Sequence, residues 1–252
     1  MYLAARDMDF ENGERGTESR HRSYGLLLFP GFEVLDATGP TELLNCLSQH
    51  SAAPELQMSV ISSNMEPVTP AFGAKTSAGY KFQDMQVFMP THTFDTVPNL
   101  DVLIVPGGAG TRASKAETKR LCDFIRSQYY GSEGRDPLRY IFSVCNGTKL
   151  LAEAGILHGH RATTNKKQWS EVTGLTRDTH WVARARWVAS GNIWTCSGVS
   201  AGMDGMAAFI EKVYGERAAA EVCDDAEYIR HVEGGDDPFA ERFRCSDVLG
   251  GS

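Results

Sequence analysis

The sequence lacks three features that mark special classes of protein. No apolar run approaches the roughly 18 residues that indicate a membrane-spanning helix. No Cys-x-x-Cys pair is present, although zinc ribbons and redox dithiols depend on such close spacing. Basic residues number 25 against 32 acidic ones, which gives a formal net charge of −7. We therefore expect no membrane segment, no metal site and no nucleic-acid partner.

Cysteines are few for a disulfide framework, and they lie far apart in the chain. The six positions are Cys46, Cys122, Cys145, Cys196, Cys223 and Cys245. Sparse, unpaired cysteines are typical of a reducing compartment, so we predict a cytoplasmic protein. Residues 1–22 lack the apolar segment of a secretory signal and have no sustained periodicity, which favours a disordered N-terminal tail.

The remaining chain predicts a single α/β domain over residues 23–240, followed by a C-terminal tail over residues 241–252. Short apolar runs alternate with amphipathic stretches, which indicates βαβ units and a mostly parallel sheet. The predicted strands are residues 24–29, 56–62, 101–105, 139–144, 181–189 and 193–196. The predicted helices are residues 41–47, 114–128, 147–154 and 202–214.

Chemistry is expected where these strands end, because ligands of parallel sheets bind beyond the carboxyl ends of the strands. Cys145 follows an apolar strand and precedes a glycine-containing helix start, which places its sulfur on a tight corner. The free N–H groups of a helix start favour thiolate over thiol. A buried and inert core cysteine has the same sequence pattern, so position alone leaves both interpretations open.

Four segments carry a resemblance to a known family. They are FPGFEVLDATGP (29–40), DVLIVPGGAGT (101–111), SVCNGTKLLAEAGILHGHRATT (143–164) and SGVSAGMDGMAAFIE (197–211). Together they resemble the DJ-1/PfpI superfamily, and more closely its subgroup of isocyanide hydratases and of amidotransferase-like domains in AraC-type regulators. The resemblance covers roughly residues 23–240. It implies a flavodoxin-like three-layer sandwich and a homodimer.

The resemblance also implies a site. Its nucleophile maps onto Cys145, and its acidic partner, an Asp in the LDxTGP pattern, maps onto Asp36. The family's oxyanion pocket of backbone N–H groups maps onto Gly108, with Gly107 as an alternative, and onto Asn146. No cofactor is implied. A helix N-cap or a loop hydrogen bond before the following proline is the structural alternative for the aspartate.

Two departures from the family pattern affect the expected chemistry. Asn146 stands where protease-like and chaperone-like members carry a His, which disfavours a peptidase. Asn165 and Lys166 replace the His-Trp pair that is frequent in the subgroup, which leaves the substrate open. The hydroxyls of Ser143 and Thr148 are candidates for the pocket, although helix-start chemistry explains both equally well.

Three functions remain open from the sequence. The first is a hydratase or lyase that converts an isocyanide to an N-substituted formamide through a thioimidate on Cys145, with Asp36 protonated and donating to sulfur. The second is a glyoxalase-like or repurposed biosynthetic activity of the same thiol. The third is a redox-sensing or protective protein in which Cys145 oxidises to sulfinic acid.

Overall fold

A computed structural model describes residues 22–50, 53–71 and 85–251 of the chain. The predicted N-terminal tail falls almost entirely outside the described residues. Within the described ranges, no helix is both long and apolar enough to cross a membrane. All six cysteines are free thiols, and only Cys245 is not fully buried.

Nine strands and seven α-helices make up the described chain. The strands are β1 (Ser23–Leu27), β2 (Gln57–Ser62), β3 (His92–Thr93), β4 (Val102–Val105), β5 (Tyr140–Val144), β6 (Arg161–Ala162), β7 (His180–Trp181), β8 (Trp187–Ser190) and β9 (Ile193–Cys196). The helices are α1 (Val34–Ser48), α2 (Lys115–Tyr130), α3 (Gly147–Glu153), α4 (Trp169–Thr173), α5 (Ala201–Tyr214), α6 (Glu216–Asp225) and α7 (Pro238–Arg242).

The main sheet has seven strands in the order β3-β2-β1-β4-β5-β9-β8. Every neighbouring pair is parallel except β8 with β9, so the mostly parallel sheet predicted from the sequence is confirmed. Helices α1, α5 and α6 contact one another, and α2 contacts α3, which gives two helical layers around the sheet. The strand order reverses direction between β1 and β4, and this is where an open parallel sheet forms a ligand crevice.

Two predicted elements differ from the structure. Helix α1 begins at Val34, seven residues before the predicted start, and Pro40 lies inside it. Pro40 has no backbone N–H, so it removes one donor from the helix. The side chains of neighbouring threonines donate to carbonyls of the same turns, and Thr41 Oγ1 does so to the Ala37 oxygen at 3.0 Å. The single strand predicted over residues 181–189 is wrong, because a turn divides it into β7 and β8.

The residues predicted as a C-terminal tail are packed against the domain as far as they are described. Val248 pairs with Trp181 of β7 through two backbone hydrogen bonds of 2.8 and 3.1 Å. The indole N–H of Trp169 donates to the carbonyl of Ser246 at 3.0 Å. Helix α7 and the residues after it therefore form part of the domain's surface near the strand ends.

Candidate active site

Three strand ends bring the candidate residues together at the reversal of strand order. Asp36 lies in the first turn of α1, directly after the β1 loop. Gly107 follows β4, and Cys145 lies between β5 and α3. A hydrogen bond of 2.9 Å from the Gly107 N–H to Asp36 Oδ2 joins the first two of these segments. The structure thus unites residues that are more than 100 positions apart in the sequence.

Cys145 occupies a sharp turn between strand and helix. Its φ angle is 59°, in the left-handed region that residues with a Cβ rarely adopt. Two hydrogen bonds hold this conformation: the Cys145 N–H donates to the Cys196 carbonyl, and Thr164 Oγ1 donates to the Cys145 carbonyl, both at 3.0 Å. Holding a non-glycine residue in this backbone conformation costs about 1 kcal/mol or more of folding free energy, and such strain is typical of functional positions.

The sulfur of Cys145 is buried but has polar neighbours. Asn165 Nδ2 donates to Sγ at 3.0 Å, and the Asn146 backbone N–H also interacts with the sulfur. Burial raises the pKa of the thiol well above its ordinary value, the charge of Asp36 raises it further, and the two N–H donors lower it. The thiol therefore keeps its proton at rest, and the donors stabilise the thiolate once it forms.

Asp36 is a fully buried carboxyl, and it does not cap a helix. Burial raises its pKa from 3.8 to about 7, the Gly107 N–H opposes this rise, and the charge of Glu33 adds to it. The Cys145 thiol also interacts with the carboxyl and lowers its pKa. Oδ1 of Asp36 has no hydrogen-bond partner among the described residues. This oxygen is free to exchange a proton.

The thiol and the carboxyl titrate as a pair. Burial and the charge of Asp36 raise the pKa of the thiol, and burial raises the pKa of Asp36, so the state in which both are ionised is disfavoured at neutral pH. A carboxylate whose pKa is near 7 is a stronger base than an ordinary aspartate.

The two glycines predicted for the oxyanion pocket already have acceptors. The Gly107 N–H donates to Asp36 Oδ2, and the Gly108 N–H donates to Asn146 Oδ1 at 2.7 Å. The close packing requires glycine: a Cβ on Gly107 would lie 2.2 Å from Asn146 Oδ1. Their oxyanion role stays a prediction, and an incoming oxyanion would have to compete for these donors. The Asn146 N–H and the Asn165 amide are already directed at the sulfur.

Asn146, which stands in place of a histidine, ties three segments together. Its Nδ2 donates to Gln168 Oε1 at 2.7 Å and to Thr111 Oγ1 at 2.9 Å, while its Oδ1 accepts from Gly108. This amide therefore positions the loops around the nucleophile and is not a proton carrier, because an amide has no titration near neutral pH.

Thr148 is separated from this cluster. Its hydroxyl and that of Ser143 form a 2.9 Å hydrogen bond with each other, and both residues are completely buried. Neither hydroxyl caps α3, whose N-cap residue is Asn146. A pocket role for either hydroxyl stays a prediction.

A cavity of about 350 Å³ is lined by Asn165, whose amide donates to Cys145 Sγ, and by Lys166. Cys145 and Asp36 are not among its lining residues. Burial lowers the pKa of Lys166 to about 8, while Asp237, whose Oδ2 lies 3.5 Å from Nζ, raises it. No group of three or more His, Cys, Asp or Glu side chains that could hold a metal ion occurs among the described residues.

The sequence identified Asn165 and Lys166 only as replacements of the family's His-Trp pair, and it indicated no role for Asp237. The sequence places Asn165 twenty residues after the nucleophile, and it contained no signal that the amide reaches the sulfur. Nothing in the local sequence distinguishes Asp237 from a solvent-facing acidic residue, but its side chain is buried against Lys166 and Ser197.

Comparisons with known proteins identify the family of this chain. The sequence profile of the DJ-1/PfpI family matches residues 23–212. An isonitrile hydratase from Pseudomonas putida is 36% identical over 180 residues, which cover 71% of this chain and 67% of that protein. A THiJ/PfpI family protein from Pseudomonas syringae has a similar structure, with a TM-score of 0.64 at 24% identity, covering 88% of this chain and 84% of the other.

Drosophila melanogaster DJ-1beta is similar to a comparable degree, with a TM-score of 0.62 and 18% identity over 82% of this chain and 99% of the other. At these identities the two structural matches concern the fold alone. They confirm the flavodoxin-like sandwich that the sequence motifs predict.

Proposed function

Because this chain belongs to the DJ-1/PfpI family, we propose that it is a hydratase that adds water to a small electrophile through Cys145 and needs no cofactor. The most specific form of the proposal is hydration of an isonitrile, R–N≡C, to an N-substituted formamide. The relative named isonitrile hydratase supports this reaction. The observation that carries the proposal is the buried pairing of Cys145 with Asp36 at the strand ends.

In the first step the thiol proton moves to Asp36 as Sγ attacks the terminal carbon of the isonitrile. The new S–C bond forms with the electron pair of sulfur, and Asp36 returns the proton to the same carbon. The product is a thioimidate, R–N=CH–S–Cys145. The raised pKa of Asp36, about 7, suits a group that must both accept and return a proton near neutral pH.

In the second step water adds to the thioimidate carbon. Asp36 accepts one proton from the water and passes it to the nitrogen, which gives R–NH–CH(OH)–S–Cys145. Collapse of the adduct breaks the S–C bond, restores the Cys145 thiol with the remaining proton and releases R–NH–CHO. The net change is one isonitrile and one water to one formamide. The Asn165 amide, 3.0 Å from Sγ, stabilises the charge on the departing sulfur.

The direct test incubates the purified protein with a small isonitrile and follows formamide by NMR. We expect turnover in the wild type and its loss in Cys145→Ala and Asp36→Asn. Cys223→Ala, which removes a buried thiol in α6, is the matched control and should turn over normally. Full activity in either site variant would reject the mechanism.

The alternative functions are decided in the same experiment. Formation of lactate from methylglyoxal, without any formamide, would support a glyoxalase-like enzyme instead. If neither substrate turned over and dilute peroxide added two oxygens to Cys145 by mass, the redox hypothesis would replace the proposal.

We further propose that the protein acts as a homodimer in the cytoplasm on a small-molecule substrate. Light scattering coupled to size-exclusion chromatography tests the dimer, and a mass of 27.6 kDa in solution would reject it.

A further inference from the structure

The cavity beside the nucleophile has an apolar outer wall. Leu35 and Val199 line it from the main domain, and Phe239 and Phe243 line it from the C-terminal segment. The two phenyl rings are stacked, with centroids 6.4 Å apart and an interplanar angle of 20°. They are 39% and 43% exposed, although phenylalanine is usually buried, so a ligand in the cavity would remove their faces from water.

Two residues connect this cavity with the candidate site. Asn165 lines the cavity and at the same time donates to Cys145 Sγ at 3.0 Å. Leu35, which also lines it, precedes the buried Asp36 in α1. A molecule that approached the sulfur from this cavity would pass the Asn165 amide and leave its substituent on the side of the phenylalanine pair. The volume of about 350 Å³ suits a substituent of about one aromatic ring, at the lower end of the range of ligand pockets.

The buried cations in the wall are neutralised within the protein. Lys166 Nζ lies 3.5 Å from Asp237 Oδ2, and Arg186 Nη2 lies 2.5 Å from Asp204 Oδ2. An anionic substituent would gain little from cations that are already paired, and it would lose its hydration against the apolar wall. Lys167, the third cation in the lining, is exposed to solvent, where water screens its charge, so the charge pattern favours an uncharged ligand.

The phenylalanine pair belongs to chain outside the part that matches the family profile, which ends at residue 212. Asp237 anchors the segment, because its carboxylate accepts from Ser197 Oγ at 2.5 Å and pairs with Lys166. The guanidinium of Arg242 lies 5.1 Å from the centroid of the Phe239 ring and covers it from one side. The outer wall is therefore held in a fixed position relative to the nucleophile.

We infer that Phe239 and Phe243 determine substrate specificity by selecting electrophiles with an uncharged, apolar substituent of about one ring in size. The inference rests on the proposed function, since it assigns the group R of the isonitrile. It also holds for any other electrophile that reaches Cys145 through the cavity.

The test measures access to Cys145 without requiring turnover. The wild type, Phe239→Ala, Phe243→Ala and Phe239→Leu are alkylated with iodoacetamide, N-benzyl-iodoacetamide or iodoacetate. Mass spectrometry of the Cys145 peptide gives each rate constant. Tyr130→Ala removes an exposed aromatic ring that does not line the cavity, and it is the matched control. Circular dichroism verifies that each variant is folded.

We expect the wild type to react faster with the benzyl probe than with iodoacetamide. Each alanine variant should lower that ratio by about fivefold, in line with the loss of one aromatic contact. Phe239→Leu should retain most of the ratio, and Tyr130→Ala all of it. Equal rates for both neutral probes in the wild type, no reaction at Cys145, or a preference for iodoacetate would overturn the inference. Retained selectivity without isonitrile turnover would reject only the proposed hydratase function.

Discussion

The amide of Asn165 allows the sharpest test of how the nucleophile is activated. Its Nδ2 is 3.0 Å from Cys145 Sγ, and it donates to a group that becomes charged only during attack. A hydrogen bond to a charged group contributes about 1.5–3 kcal/mol. Removing the donor in Asn165→Ala should therefore raise the thiol pKa further above its ordinary value. The rate of the first step should fall by about 10- to 150-fold.

Two measurements separate this effect from loss of structure. The pH dependence of alkylation at Cys145 reports the thiol pKa, and steady-state kinetics with an isonitrile report kcat and KM. Asn165 Oδ1 also accepts from the Lys167 N–H at 2.9 Å and so caps a short helical turn. Asn165→Ser is the control, because serine preserves such a cap but is too short to reach the sulfur. Both variants should lower kcat equally and leave KM almost unchanged.

Asn165→His restores the residue that is frequent in the resembled subgroup and keeps an N–H donor on a ring of similar reach. It should recover most of the rate lost in the alanine variant. If Asn165→Ala left both the thiol pKa and kcat unchanged, the amide would be no more than a helix cap, and the reasoning on thiolate stabilisation would fail.

Three further predictions concern buried polar groups. Burial raises the folded-state pKa of Asp36 from 3.8 to about 7, so the folded protein binds this proton more tightly than the unfolded chain does. The free energy of unfolding should therefore fall by on the order of 4 kcal/mol as the pH rises from about 4 to about 7. Asp36→Asn should flatten this slope in urea unfolding at pH 5 and 8; an unchanged slope would mean that another group causes it. Asp237→Ala leaves the Lys166 ammonium buried without its carboxylate and should lower the free energy of unfolding by about 3–5 kcal/mol. A loss below about 1 kcal/mol in the same assay would show that water replaces the carboxylate. Thr148→Val breaks the buried pair with Ser143 and should cost about 1–3 kcal/mol with kcat unchanged; a large loss of kcat would return the hydroxyl to the pocket.

The sequence predicted the positions of most strands because a buried parallel strand is a short apolar run bounded by glycine or proline. Residues 101–105 illustrate this, since β4 spans Val102–Val105 and all four of its residues are buried. The start of α1 was missed for the opposite reason. Proline normally opens or interrupts a helix, and nothing in the local sequence indicates that the helix continues through Pro40.

The sequence predicted only the part of the candidate site that depends on local structure. Cys145 was identified because a strand, a turn and a glycine-containing helix start follow one another in the chain. The amide of Asn165 and the carboxylate of Asp237 depend on tertiary contacts over 20 and 71 residues of sequence. No local pattern encodes such contacts. For the same reason, the sequence could not show that the N–H groups of Gly107 and Gly108 already donate to other residues.

The phenylalanine pair and Cys145 are contributed by separate stretches of chain. The sulfur, its carboxyl partner and the amide that contacts it all lie before residue 166, whereas the stacked rings lie beyond residue 238. Under the proposed function, we expect substitutions of the two rings to change substrate preference and to leave the proton transfer at Cys145 intact. Selectivity could then be redesigned at Phe239 and Phe243 while the proposed reaction is kept.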